Sequence, residues 1–373
     1  MGMPQVSVIV PTLNEGENLP LLLPRVAAAL AGRAYEVLIV DDGSRDDTAG
    51  VCERLSREYP VRLVVRENPK DGLSGAVLHG MGLAGGEYLV VMDADLQHPP
   101  ERLGALLEPL ENGEADFVIG SRYVSGGEMG SRFGFWRRVL SRAATALAWP
   151  IVGEVKDPMS GFFALRRGCY ERGERLAPLG YKIGLEILRK CPVRKVKEVP
   201  IIFGARAHGE SKLTFYEQFR YLEHLSRLYD FCYPRASPIG KFLIALGCSW
   251  LAAGGVYGGL VWGGMGLMVA VAVGYVVAVG VTGVFHLRYC RTQREFLARA
   301  RPWRDFWFIA AMEWVCCMAA AGWLVERLNG AGAWEVFVIS FGGATVAKYV
   351  LRKELLMDIR GLRREIRREE MGR

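Results

Sequence analysis

Tyr88-Leu89-Val90-Val91-Met92-Asp93-Ala94-Asp95-Leu96-Gln97-His98 is a short run of apolar, strand-forming residues that stops at two acids one residue apart. A buried strand ending in an acidic turn delivers those side chains to the C-terminal rim of a sheet, where open α/β sheets bind ligands. Spaced i, i+2, Asp93 and Asp95 cannot both follow the strand's alternation into one core. Two readings remain. One is a loop with two solvated acids, the ordinary meaning of an Asp-x-Asp match. The other is a shared Mg²⁺ or Mn²⁺, a hard cation that takes carboxylate oxygens and completes its shell with phosphate.

The neighbouring segments supply the rest of such a sheet. Gln5–Val10 reads as a strand stopping at Pro11, followed by the turn Pro11-Thr12-Leu13-Asn14-Glu15 and a helix over Asn18–Leu30. Tyr35–Val40 reads as a strand ending in Asp41-Asp42-Gly43-Ser44. Thr48–Tyr59 and Ser74–Leu83 have helical spacing, with a strand at Val61–Val65 between them. This alternation predicts a mostly parallel sheet covered on both faces, so Pro11–Glu15, Asp42 and Asp93–Gln97 should meet at one rim. Asp41 suits a cap. Asp42 suits either a cap or a contact with a base edge or ribose.

Asp116–Ile119 is a further strand, leading into Gly120-Ser121-Arg122-Tyr123, whose Arg122 is either a bidentate phosphate ligand or a surface residue. Phe135, Trp136, Val139, Leu140 and Leu147 alternate with Arg132, Arg137, Arg138 and Arg142 at helical spacing. This fits a helix in a membrane interface or an amphipathic core helix. Lys182–Leu188 opens another helix. The loop Phe203–Leu213 carries Arg206 and Lys212 as candidate phosphate clamps. A second amphipathic helix spans Thr214–Phe231, with Phe215, Phe219, Leu222, Leu225 and Tyr229 as its apolar side.

The composition divides the chain of 373 residues. It is 51% hydrophobic with a net charge of +7, but the apolar excess lies late in the sequence. Residues 1–235 read as a soluble α/β domain with interfacial helices near 131–150 and 214–231. Residues 236–373 read as a membrane domain with spans at about 241–262, 264–287, 306–326 and 334–351 and a basic tail. The loop at 288–305 and the tail hold clustered arginines, whereas the opposite loops hold almost none. The positive-inside rule puts the soluble domain in the cytosol. Anionic lipid is the better counterpart of the charge, and nucleic acid is not indicated. Eight Cys show no Cys-x-x-Cys pair, so neither zinc nor a disulfide framework is indicated. Val6–Val10 is too short for a signal peptide. Glu313 is a costly acid inside a span, either a functional residue or one that snorkels or pairs with Lys348.

Several stretches together carry a specific resemblance. They are Val8-Ile9-Val10-Pro11-Thr12, Val40-Asp41-Asp42-Gly43-Ser44, Met92 to Pro100, Gly120-Ser121-Arg122-Tyr123, Asp157 to Arg166 and Gly209-Glu210-Ser211-Lys212-Leu213. The chain resembles family 2 glycosyltransferases of the GT-A fold. Within them it is most like dolichol-phosphate mannose synthases with four transmembrane helices; the membrane part also has a faint likeness to GtrA-type domains. The resemblance implies that Pro11, Glu15, Val40 and Asp42 hold the nucleoside, and that Asp93, Ala94, Asp95 and Gln97 hold the metal and diphosphate. It implies that Arg122, Lys182, Arg206 and Lys212 bind phosphates, and that Arg137 and Ser141 grip a lipid phosphate together with Arg122. Leu13 belongs to the same nucleotide site, but stands where family members often carry an aromatic residue, which loosens the expected base preference.

The implied reaction is inverting transfer of mannose from GDP-mannose to dolichyl or polyprenyl phosphate, with Mg²⁺ or Mn²⁺ as cofactor and no obligatory protein partner. A phosphate monoester is largely dianionic at neutral pH, so no dedicated catalytic base is expected. The alternatives are a UDP-sugar transferase acting on a polyprenyl phosphate, a processive synthase, which is disfavoured because no Gln-x-x-Arg-Trp motif occurs, and a non-catalytic membrane scaffold or flippase component.

Overall fold

The computed structural model describes residues 4–67, 69, 72–129, 135–174, 176, 179, 182–207, 215–288, 302–327 and 332–356. They fall into two compact units, Met1–Leu228 and Tyr229–Arg373.

The first unit is built on a seven-stranded sheet. Its strands are β1 (Val6–Thr12), β2 (Tyr35–Asp41), β3 (Val61–Val65), β4 (Tyr88–Val91), β5 (Phe117–Ser121), β7 (Phe163–Arg166) and β8 (Val196–Pro200), in the order β3-β2-β1-β4-β7-β5-β8. All neighbours are parallel except β7, which runs antiparallel to both β4 and β5. A two-stranded ribbon pairs β6 (Glu128–Met129) with β9 (Ile202–Phe203).

Alternate residues of each central strand feed two separate cores. Val8, Val10, Ile39, Val90 and Val118 pack beneath α1 (Leu19–Ala29) and α4 (Leu103–Glu111). Ile9, Leu38, Leu89, Val91, Ile119 and Phe163 pack on the other face with α3 (Gly72–Leu83) and α7 (Ile183–Lys190). With both faces covered, the strands read as continuous apolar runs, as expected of a mostly parallel α/β sheet.

Some boundaries differ from those read in the sequence. The first strand runs through Pro11 to Thr12, because a proline lacks only the donor. The pairing continues past it, with the Thr12 carbonyl accepting from the Asp42 N–H at 3.1 Å. The second helix, α2 (Thr48–Leu55), ends before Tyr59. Between α4 and α7 lie α5 (Phe135–Val152) and the short α6 (Arg167–Glu171). In α8 (Phe215–Cys232) the buried stripe is Tyr221, His224, Leu225 and Leu228, while Phe219 is exposed, so the expected apolar side is rotated. Tyr221 sets that rotation by donating to the Ala144 carbonyl of α5 at 2.7 Å.

The second unit contains α9 (Ala236–Trp262), α10 (Leu267–Arg288), α11 (Pro302–Arg327) and α12 (Ala333–Leu356). Ile239–Trp262 and Leu267–Phe285 are long and apolar enough to cross a membrane. Tyr257, Phe337 and Phe341 centre its core. Glu313 does not snorkel. It is buried, with Oε2 3.0 Å from the Tyr275 hydroxyl; the Lys348 side chain lies outside the described residues.

Close backbone approach fixes the turn before β4. A Cβ on Gly86 would stand 2.6 Å from the Ser7 nitrogen and 2.8 Å from the Val6 carbonyl carbon. Gly86→Ala should therefore cost about 1–3 kcal/mol, as overpacking does. Thermal unfolding of the purified chain should show a lower midpoint for the sheet unit; an unchanged midpoint would mean that β1 yields freely there.

Candidate active site

Because β1, β2 and β4 are adjacent and parallel, their C-terminal ends share one rim. The loops after β1 and β2 are stitched together. Asn14 N–H donates to Ser44 Oγ at 2.7 Å, Arg45 N–H to Asn14 Oδ1 at 2.7 Å, and Glu15 N–H to Thr48 Oγ1 at 3.2 Å. Glu15 accepts from Asn18 Nδ2 at 2.6 Å, and Leu13 is exposed beside it. Asp41 closes its own turn, accepting from the N–H groups of Gly43 and Ser44 at 3.1 and 2.8 Å. It caps the turn, not helix α2, whose first amide Thr48 N–H donates to Asp46.

Asp42 meets a partner the sequence reading did not name. Arg66, just past the end of β3, donates from Nη1 to Asp42 Oδ1 at 2.7 Å and to the Gly72 carbonyl at 3.3 Å. Burial still raises the Asp42 carboxyl, with Arg66 opposing.

After β4 the acids separate in environment. Asp93 lies in a crevice with 35% of its side chain exposed; Asp95 keeps 7%. Enclosure by protein raises the carboxyl of Asp93, against the pull of Lys182 and Arg206. Burial also raises that of Asp95, and the Asp93 charge adds to it. Asp95 accepts from Arg206 Nε at 2.9 Å and from Gln97 N–H at 3.1 Å. The Gln97 amide donates to the Gly204 carbonyl at 3.3 Å.

His98 supports the turn from below. Its Nδ1 accepts from Asp93 N–H at 3.0 Å, which places the ring proton on Nε2. Burial lowers its pKa to about 4. The ring is neutral at physiological pH, and the 3.7 Å approach of Asp93 Oδ2 is not an ion pair. Phe162 stacks on the ring at 5.2 Å and Phe203 meets its edge at 5.6 Å. The available signal was an imidazole five residues after Asp93, between the acidic turn and Pro99-Pro100.

Arg122 is not a solitary clamp. Its Nε and Nη2 both donate to Asp157 at 2.8 Å, and its N–H reaches the same carboxylate at 2.9 Å. Asp157 is fully buried, and Glu198 holds its amide and that of Lys156, each at 2.9 Å. Lys182, at the start of α7, donates from Nζ to the Met159 carbonyl at 2.5 Å. Burial and the Arg122 charge lower the Lys182 pKa to about 7, although Asp157 and Asp93 oppose this.

The rim thus gathers Asp93, Asp95, Gln97, Arg122, Lys182 and Arg206 around β4 and the loop before β7. Pro11 to Glu15, Val40 and Asp42 line its other half. Ala94 is buried between the two acids. Lys212 lies outside the described residues. Arg137 and Ser141 fall on α5, but their side chains are likewise outside the description.

The donor set suits a hard divalent cation. It offers the carboxylate oxygens of Asp93 and Asp95, the second shared with Arg206, and no thiolate among the described residues around them. Among the described residues no cluster of three or more His, Cys, Asp or Glu forms a complete cage, so phosphate and water would have to fill the shell.

Comparison with known proteins identifies the family. Residues 7–173 match the Glycosyl transferase family 2 profile. A dolichol-phosphate mannosyltransferase of Pyrococcus furiosus is 49% identical over 227 residues, covering 60% of this chain and 63% of that protein, less than two thirds of its length. Enzymes of the same name from Mycosarcoma maydis and Saccharomyces cerevisiae are each 40% identical. These matches cover 65% and 61% of this chain, and 85% and 88% of the relatives. Among solved structures, glucosyl-3-phosphoglycerate synthase of Mycobacterium tuberculosis, in complex with Mn²⁺, UDP and glucosyl-3-phosphoglycerate, superimposes with a TM-score of 0.48 at 22% identity. The overlay covers 61% of this chain and 80% of the other.

Asp157→Ala would leave the Arg122 guanidinium, 12% exposed, without its counter-charge. The expected loss is about 3–5 kcal/mol, as for other broken buried pairs. Thermal unfolding should show it, and Asp157→Asn should lose less because it keeps an acceptor.

Proposed function

Since the chain belongs to the family 2 glycosyltransferases, in the branch of the dolichol-phosphate mannosyltransferases, we propose that it transfers mannose from GDP-mannose to a polyprenyl phosphate at a membrane surface. The observation that carries this reading is the placement of two carboxylates, Asp93 and Asp95, at the sheet rim, with Arg206 bonded to Asp95 and Lys182 to the loop before β7. Such a rim attracts a metal-bound diphosphate.

In this reading Pro11, Leu13, Glu15, Val40 and Asp42 hold the nucleoside, with Arg66 fixing Asp42. Asp93, Asp95 and Gln97 hold Mg²⁺ or Mn²⁺, and Ala94 lends backbone between them. The bound cation supplies Lewis-acid stabilisation of the leaving diphosphate. Lys182 and Arg206 add donors to the same phosphates, as does Lys212. Arriving phosphate charge raises the Lys182 pKa and keeps the ammonium protonated. Arg122 forms a neutral unit with Asp157, so it acts as an oriented hydrogen-bond donor and not as a spare charge. Arg122, Arg137 and Ser141 hold the lipid phosphate.

The acceptor oxygen is already ionised, so the enzyme needs only to align it with the anomeric carbon and stabilise the departing diphosphate. Direct displacement inverts that carbon. Four spans anchor residues 236–373, with the catalytic unit on the cytosolic side; the two apolar helices and the arginine distribution support this.

Product analysis tests the proposal directly. Purified enzyme with one polyprenyl phosphate should make glycolipid from GDP-mannose and far less from UDP-glucose; equal or reversed yields would overturn the donor assignment. Asp93→Ala and Asp95→Ala should each abolish metal-dependent turnover, and substantial residual activity in both would refute the metal site. Arg137→Ala should raise the KM for lipid acceptor more than that for nucleotide sugar.

A further inference from the structure

Helix α7 presents Ile183, Leu185, Ile187 and Leu188 to the core, and Glu186 is buried among them with 1% exposure. A carboxylate in such a place costs several kcal/mol unless polar or charged groups meet it. Two side chains face it. Lys190 Nζ lies 2.5 Å from Glu186 Oε1 within the same helix, and His224 Nε2 of α8 lies 3.4 Å from Glu186 Oε2. His224 is itself 1% exposed, and neither ring nitrogen makes a hydrogen bond of good geometry. The Glu186 carboxylate is therefore its polar counterpart across the helix interface.

Three residues before His224, on the same face of α8, Tyr221 donates to Ala144 of α5. One turn before Glu186, at the start of α7, stands Lys182. Helix α8 is thus fastened at adjacent positions to two helices. One begins at the proposed donor-phosphate lysine, and the other carries the proposed lipid-phosphate residues.

We infer that Glu186 and His224 are positioning residues for glycosyl transfer: their buried contact holds α7 against α8 and so sets Lys182 on the donor diphosphate. The inference rests on the assignment of Lys182 to that diphosphate. A greasy contact would pack as well; a polar one has a single favourable register, which suits a part whose function is alignment.

The test uses the full-length enzyme in lipid vesicles, with GDP-mannose and polyprenyl phosphate, and four chains: wild type, His224→Leu, Lys182→Met and the double variant. His224→Leu should lower kcat/KM for the nucleotide sugar by about tenfold, the scale of a small misalignment. In the Lys182→Met background the same change should add almost nothing. His224→Gln, which still reaches Glu186, should recover most of the activity. If the two losses multiply, or His224→Gln is as poor as His224→Leu, the contact is merely structural and the inference falls. If Lys182→Met alone leaves kcat/KM unchanged, the donor assignment of Lys182 falls instead. Should His224→Leu not fold, His224→Asn, too short to reach Glu186, takes its place in the same cycle.

Discussion

Phe163 lies between Val91 of β4 on one side and Ile119 of β5 on the other, and the site depends on that double antiparallel pairing. A parallel strand in the same place would send its preceding loop to the far edge of the sheet. Because β7 enters from the rim where β4 and β5 leave, the segment Asp157–Phe162 arrives beside Asp93 and Arg122. The Gly120 N–H donates to the Phe162 carbonyl at 2.8 Å, Ser160 Oγ donates to the Gly120 carbonyl at 2.7 Å, and Asp157 closes on Arg122. One reversed strand therefore joins the acid pair to the cationic groups.

The charges at the rim differ in how far they are balanced. Arg122 with Asp157 and Arg66 with Asp42 are closed pairs, rigid and nearly neutral. Asp95 also has an ion pair, with Arg206, while burial raises the carboxyls of Asp93 and Asp95 and lowers the Lys182 ammonium. The closed pairs form the frame around Asp93 and Lys182, where burial opposes charge. His98 belongs to the frame as well: kept neutral by burial, it grips the Asp93 backbone without taking part in the balance.

Much of this was legible in the residues. The apolar run from Tyr88 and its terminal acids, the two preceding strand ends and the alternation with helices specified a mostly parallel sheet with a ligand rim, and that sheet is present. Periodicity could not show that Phe163–Arg166 inserts in reverse, because local spacing is the same for either direction. Nor could it show the partners of Arg122 and Asp42. Asp157 lies 35 residues from Arg122, and Arg66 lies 24 from Asp42, so only tertiary structure joins them. The rotated face of α8 was missed for a related reason. Tyr221 and His224 count as polar in a hydrophobic pattern, yet they are buried because each meets a polar partner on another helix.

The contrast between closed and exposed charges has a consequence for how the molecule responds to its medium. At physiological ionic strength the Debye length is about 8 Å, and added electrolyte weakens attractions that pass through water. Arg142 on α5 is exposed, so its attraction for any anionic surface fades as electrolyte is added. The Arg122–Asp157 and Glu186–Lys190 pairs are sealed from ions and keep their strength. On the proposed reading, in which α5 lies against a bilayer, brine loosens that hold well before it disturbs the architecture beneath.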